Sequence, residues 1–247
     1  MSFLTRRKFG KSLSGFFDRI YCINLDSRPD RWKYVRGQFK QFGLRRDVER
    51  FSAIDIRTDP DYTASERLLR DNFSLLAMCG CMLSHRKIIE TARDENLDTV
   101  LVFEDDIRFL EDNVGSIDRS LNQLGQLDWD VFYLGATYLF RLEPLGDHLV
   151  RVPNGAYATH AIAYNSCVFD RILETLPSTP EGYLESDRFE VNALDKWLQA
   201  GPFDRQRFFG TNPIMVVQGL QESDIAHNQA DGIEQTQLDL FKKNLGG

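Results

Sequence analysis

Asp98-Thr99-Val100-Leu101-Val102-Phe103-Glu104-Asp105-Asp106 decides how the rest of the chain is read. Four apolar residues, Val100 to Phe103, run straight into three carboxylates. A short apolar run with polar boundaries is the pattern of a strand buried on both faces, as in a parallel sheet. In open α/β sheets, ligands bind beyond the carboxyl ends of the strands. Three acids gathered there repel one another unless a cation or a donor-rich ligand neutralises them.

The flanking sequence supplies the units such a sheet needs. Arg19 to Leu25 reads as a strand, and Pro29 then suits a first helical turn. Trp32, Val35, Phe39 and Phe42 fall on one helical face that Gly43 ends. A second strand is predicted over Val48 to Ile54, and a helix over Leu76 to Asn96 with Gly80 near its start. Further helices are predicted over Asp112 to Leu124, Ser166 to Leu176 and Arg188 to Gln199. Strands are predicted over Asp130 to Gly135, Tyr157 to Tyr164 and Phe208 to Val217, with residues 136–156 forming a hairpin or a mobile loop. Alternating strands and helices predict an α/β fold: a mostly parallel, mixed sheet flanked by helices.

The 247 residues suit one large domain, and 42% hydrophobic content is enough for a sizeable core. A net charge of −7, with no basic stripe beyond residue 20, argues against nucleic acid as a partner. Residues 1–17 read as a basic arm studded with aromatics, ahead of a single domain over residues 18–247. Thr5 to Lys11 looks like a twin-arginine signal, but the apolar stretch after it is short and broken by Asp18 and Arg19. The arm then has two readings, a peripheral contact with an anionic membrane surface or a disordered tail. No stretch is long enough to span a bilayer. Cys22, Cys79, Cys81 and Cys167 form no C-x-x-C pair and read as free thiols of a reducing compartment. The expected location is cytoplasmic, at the inner face of the membrane.

Three groups of residues carry candidate chemistry. Carboxylates at a buried strand end hold Mg²⁺ or Mn²⁺ against a diphosphate. Strand alternation puts Glu104 and Asp106 on one side and Asp105 on the other, so Asp106 is the first metal ligand and Glu104 its helper. The competing reading is an acidic loop paired with Arg108 or other cations. Asp128 and Asp130 precede their strand and so belong at the opposite edge. The second group, Asn24, Asp26, Arg28 and Arg31, follows the first strand, where a base, ribose or pyrophosphate would sit; a salt-bridge cluster at a helix start is the plainer alternative. The third is Gly80, Ser84 and His85, offering backbone donors and two polar side chains to an anionic ligand. His160 lies in an apolar strand and is read either as a core histidine or as the completion of a metal shell. There is no nucleophile elbow, P-loop or H-E-x-x-H.

In their order, Ile23-Asn24-Leu25-Asp26 with Arg28 and Asp30-Arg31, Gly80-Cys81 with Ser84-His85, and Leu101 to Asp106 resemble glycosyltransferase family 25. Asp130 to Gly135, Thr159-His160-Ala161 and Gln218 to Asp224 are similar too. That family includes bacterial lipooligosaccharide galactosyltransferases and collagen galactosyltransferases. The resemblance implies a GT-A-like nucleotide-sugar fold, a divalent metal at Glu104 to Asp106, and inverting transfer of galactose or a similar hexose. The donor would be a nucleoside diphosphate sugar, UDP-sugar by preference, and the acceptor a hydroxyl of a glycan or glycoconjugate, as in lipopolysaccharide biosynthesis. It also implies donor contacts at Asp55, Glu104 and Asp105, although Ile56 stands where the family pattern has a glycine. Inversion needs a carboxylate base. Asp195 is the first choice and Asp187 the second, with Glu185 close by. Two other functions fit the same residues, a non-catalytic nucleotide-sugar or carbohydrate-binding module and a metal-dependent phosphoester or pyrophosphate hydrolase.

Overall fold

A computed structural model describes residues 3–62, 73–184, 193–219 and 233–245. The first half runs α1 (Phe3–Phe16), β1 (Arg19–Asn24), α2 (Pro29–Gln41), β2 (Val48–Ser52), α3 (Phe73–Asp94), β3 (Thr99–Glu104), β4 (Ile107–Phe109) and α4 (Ile117–Leu124). The second half runs β5 (Val131–Thr137), β6 (Glu143–Leu145), β7 (Leu149–Arg151), β8 (Tyr157–Asn165), α5 (Phe169–Thr175), α6 (Pro180–Leu184), α7 (Leu194–Ala200), β9 (Phe208–Thr211), β10 (Val216–Gln218) and α8 (Ile233–Leu245).

Eight strands form one sheet in the order β2-β1-β3-β8-β5-β9-β7-β6. The pairs β1–β2, β1–β3 and β5–β9 are parallel. β8 is antiparallel to both β3 and β5, and β7 to both β9 and β6. All but β7 and β8 therefore run in one direction, as the alternation of strands and helices predicts.

The central strand is buried on both faces. Val100 and Val102 pack into a core with α3, α5, α7 and α8, through residues such as Ile88, Ile172, Trp197 and Phe241. Leu101 and Phe103 face the opposite core, filled by Phe9, Val35, Phe39 and Leu121 from α1, α2 and α4. This period-two division places every side chain of the run in one of two helix-covered layers.

Residues 3–17 depart from the expected arm. From Phe3 to Phe16 the chain is helical, and Phe9 and Leu13 are fully buried, four residues apart on one face. The Phe9 ring meets Phe42 and Phe109 edge-on at 5.9 and 5.3 Å. Lys8 and Ser12 both engage Asp118 on α4. Phe9 and Phe17 thus belong to the core and are not available to a membrane surface.

Residues 136–156 contain the β6–β7 hairpin on the sheet edge, as one of the two expected readings has it. Two further boundaries differ from expectation. The predicted strand over Phe208 to Val217 divides at Asn212-Pro213, leaving β9 in the main sheet and β10 paired with β4 in a two-stranded sheet. Helix α3 starts at Phe73, so Gly80 lies inside it and not near its start.

Candidate active site

The carboxyl ends of β1, β2 and β3 meet the middle of α3 around a cavity of about 300 Å³. This lies at the lower end of the range for small-molecule sites. Asn24, Arg28 and Arg31 line one wall, Asp55 and Arg57 another, Gly80 and Cys81 a third, and Glu104, Asp105 and Asp106 the end of β3. The sequence thus brings most of its expected donor-site residues to one place.

Asp105 is the anchor of that edge. Asn24 Nδ2 donates to Asp105 Oδ2 at 2.6 Å, and Arg31 Nη1 to Oδ1 at 3.2 Å. Burial pushes the Asp105 carboxyl up, opposed by the Asn24 hydrogen bond and the Arg31 charge. Asn24 Oδ1 in turn accepts from Arg50 Nε at 2.9 Å, and Arg50 pairs with Asp26 at 2.5 Å. That hydrogen bond with Arg50 holds Asp26 below the usual carboxylate range. Arg28 pairs with Asp30 at 3.1 Å. Asp55 pairs with Arg57 at 2.6 Å, and its carboxyl is lowered by that bond.

The strand ends at Glu104, and Asp105-Asp106 form the turn into β4. Alternation therefore does not carry Asp106 to the Glu104 side. Asp106 is buried, with Oδ1 lacking any hydrogen-bond partner among the described residues, while its backbone carbonyl accepts from Gly219 N at 2.6 Å. Burial first, and then the Asp105 charge, push its carboxyl up to about 6; a bond from Gln218 pulls the other way. Gln218 N donates to Gln237 Oε1 on α8 at 3.0 Å, so β10 and α8 back Asp106 from behind. Gln218 was legible only as part of the family pattern, with no local signal for its contact.

Glu104 turns toward α3. Its carboxyl is pushed up to about 8 by burial, then by Asp106, Asp105 and Asp195, against the Arg31 charge. Cys81 Sγ, a ring nitrogen of His85 and a Glu104 oxygen lie within 4.8 Å of one another. Burial pushes the His85 imidazole down to about 3, and its Nδ1 lies 3.1 Å from Tyr164 Oη.

Gly80 and Ser84 do structural work that anion binding does not explain. A Cβ on Gly80 would stand 2.4 Å from the Ile54 carbonyl oxygen, so only glycine lets α3 come this close to the end of β2. Ser84 Oγ accepts from Ile54 N at 2.9 Å and donates to the Gly80 carbonyl at 2.7 Å. Both residues lie mid-helix, where backbone N–H groups serve the helix itself, which removes the expected backbone donors.

His160 is a buried core residue whose Nε2 lies 3.2 Å from the Val216 carbonyl. Among the described residues, Asp106, Glu104 and His160 do not gather as one ligand cluster. Asp195, in the first turn of α7, accepts from Ala158 N at 3.0 Å and stands near enough for its charge to raise Glu104. Glu185 and Asp187 lie outside the described residues. Asp130 pairs with Arg207 at 2.7 Å at the start of β5, the opposite edge from Asp106, as expected.

Fold and site together define an α/β domain with a cavity at the carboxyl edge of the sheet, walled by arginines and floored by carboxylates. The chain belongs to glycosyltransferase family 25: the model described as "Glycosyltransferase family 25 (LPS biosynthesis protein)" matches residues 17–171. A "Glycosyltransferase 25 family member" of Drosophila melanogaster is 27% identical over 81% of this chain and 35% of its own length. The human "Procollagen galactosyltransferase 2" is 28% identical over 52% of this chain and 22% of its own. The human "Inactive glycosyltransferase 25 family member 3" is 30% identical over 48% of this chain and 22% of its own. The chain thus spans about a third or less of the curated relatives named here. Among solved structures, a glycosyltransferase involved in glycosylation of the major capsid of PBCV-1 aligns with a TM-score of 0.49 at 11% identity, covering 88% of this chain and 98% of that one. Among the described residues no helix is long and apolar enough to cross a membrane.

Proposed function

We propose that this chain is a metal-dependent, inverting hexosyltransferase. It takes galactose or a similar hexose from a UDP-sugar and delivers it to a hydroxyl of a glycan acceptor of the lipopolysaccharide class. The observation that carries the reading is Asp106, a buried carboxylate with an unpartnered oxygen beside a cavity of ligand size. A buried carboxylate oxygen without a donor favours a cation in its place. Asp106 would hold Mn²⁺ or Mg²⁺, and the ion would supply charge neutralisation for the departing diphosphate.

The chain's own groups do the rest. Arg28 and Arg57 stand on the cavity wall as partners for phosphate oxygens, exchanging their present carboxylates for the donor. Asn24 and Arg31 keep Asp105 fixed, and through it the turn that carries Asp106. Asp195 is the base that takes the proton of the acceptor hydroxyl as it attacks the anomeric carbon from the face opposite the diphosphate. The four free cysteines support a cytoplasmic site of action.

The test is turnover of a panel of UDP-hexoses with Mn²⁺ or Mg²⁺, with and without glycan acceptors, for the chain and for Asp106→Asn. Metal-dependent transfer that Asp106→Asn abolishes is the expected result. The inactive human relative gives weight to a second reading, a binding module. Donor binding with no turnover in any combination would favour that module. Release of free sugar phosphate would instead identify a pyrophosphate hydrolase.

A further inference from the structure

The Cys81, His85 and Glu104 group is chemically unlike the Asp106 site. Cys81 and His85 are four residues apart in α3 and so share one face of the helix. Glu104 meets them from the end of β3, and the three ligand atoms lie within 4.8 Å of one another. His85 is fully buried, and among the described residues its Nε2 has no partner. Its Nδ1 is taken by Tyr164 Oη at 3.1 Å. That is the arrangement of a ligating histidine, with one nitrogen on an outer partner that fixes ring orientation and tautomer and the other left for a metal.

We propose that Cys81 Sγ, His85 Nε2 and the Glu104 carboxylate bind a borderline-soft divalent ion of the Zn²⁺ class, separate from the Asp106 site. Sulfur, imidazole and carboxylate are the donor set that zinc favours over magnesium or manganese. Ligands at about 2.0–2.3 Å from a shared tetrahedral ion stand roughly 3.5 Å apart, a spacing close to that of atoms within 4.8 Å of one another. Binding releases the Cys81 thiol proton and the proton held by Glu104 to solvent, and dication, thiolate and carboxylate then sum to zero charge. Both Cys81 and Glu104 line the cavity, so the ion has an entry path and its fourth position faces the cavity. Three protein ligands with one open position is the form of a zinc site that accepts an exogenous ligand.

Co²⁺ titration of the full chain, without nucleotide sugar, tests this directly. The expected result is one thiolate-bound Co²⁺ per chain, seen as a charge-transfer band in the near ultraviolet, lost in Cys81→Ser and retained in Asp106→Asn. Circular dichroism of Cys81→Ser checks that the fold persists. X-ray absorption of the zinc-loaded wild-type chain needs no variant, and one sulfur at about 2.3 Å is expected. Absence of the cobalt band, its survival in Cys81→Ser, its loss in Asp106→Asn, or a zinc shell of oxygen and nitrogen alone would each overturn the assignment. None of these outcomes bears on whether the Asp106 site supports sugar transfer.

Discussion

Arg31 Nη1 lies 3.2 Å from Asp105 Oδ1, and both side chains are less than a tenth exposed. This buried pair joins α2 to the turn that carries Asp106. Removing one partner of such a pair leaves an uncompensated charge in a low-dielectric setting, which costs about 3–5 kcal/mol. Arg31→Met should therefore lower stability by about that much in urea unfolding. Adding Asp105→Asn should recover part of the loss, because the orphaned charge goes with it. A single Arg31→Met within about 0.5 kcal/mol of wild type would mean that the pair does not hold the turn.

Gly80→Ala sets two effects against each other. In a helix interior, alanine is favoured over glycine by about 1 kcal/mol. Here the new methyl would stand 2.4 Å from the Ile54 carbonyl, a backbone atom that cannot rotate away. Overpacking of this kind costs about 1–3 kcal/mol, so destabilisation should win. Since Ile54 and Gly80 both line the cavity, donor affinity should fall as well. Thermal unfolding and donor titration read the two losses, and a more stable Gly80→Ala chain would show that α3 can move off β2.

These cases show what a reader of the sequence can and cannot reach. The two-sided burial of β3 is legible because Val100 to Phe103 are continuously apolar, and the ligand edge follows from the acids after them. The need for glycine at position 80 is legible as a close approach, but its partner Ile54 is not. What escapes is contact between elements far apart in sequence. β4 and β10 are three-residue strands more than a hundred residues apart, too short for periodicity to register. Cys81 and His85 show their common face locally, yet nothing in the sequence aims that face at Glu104. In α1 the basic residues mask a two-residue apolar stripe.

That stripe, Phe9 and Leu13, separates a dispensable arm from a structural helix. Phe9 is fully buried against Phe42 and Phe109. Phe9→Ala should cost about 3–5 kcal/mol through lost burial and the cavity left behind. Deletion of residues 1–17 should cost more, since it also uncovers α2 and α4. Urea unfolding of both variants measures this. A truncated chain as stable as the whole would return residues 1–17 to the status of an arm.

His160 gives an acid-side signature. Burial pushes its imidazole down to about 4 from an ordinary 6.5. Between those values the unfolded chain binds a proton that the folded chain does not, so stability falls as pH drops from about 6.5 to 4. Above that window the contribution is fully present. His85 acts in the same sense, so the difference between wild type and His160→Gln isolates His160. The glutamine amide keeps a donor for the Val216 carbonyl, and the variant should lose less stability than wild type across the window. Urea midpoints at stepped pH decide it, and parallel slopes would show that His160 binds its proton as readily in the fold as in the unfolded chain.

Asp195 is the residue on which the proposed inverting mechanism turns. Its carboxylate accepts from Ala158 N, where Ala158 sits at a φ of +45°, so it supports a left-handed backbone position as well as standing near Glu104. Asp195→Asn keeps an oxygen acceptor for that N–H but cannot take a proton. A general base contributes about 10²–10⁴-fold to rate. Asp195→Asn should therefore lose kcat by that factor with donor KM and unfolding midpoint nearly unchanged. Asp195→Ala removes the acceptor too and should lose both rate and about 1–3 kcal/mol of stability. Steady-state kinetics beside thermal unfolding separates the two roles. If Asp195→Asn keeps wild-type kcat, Asp195 acts on Ala158 alone and the base must be sought elsewhere.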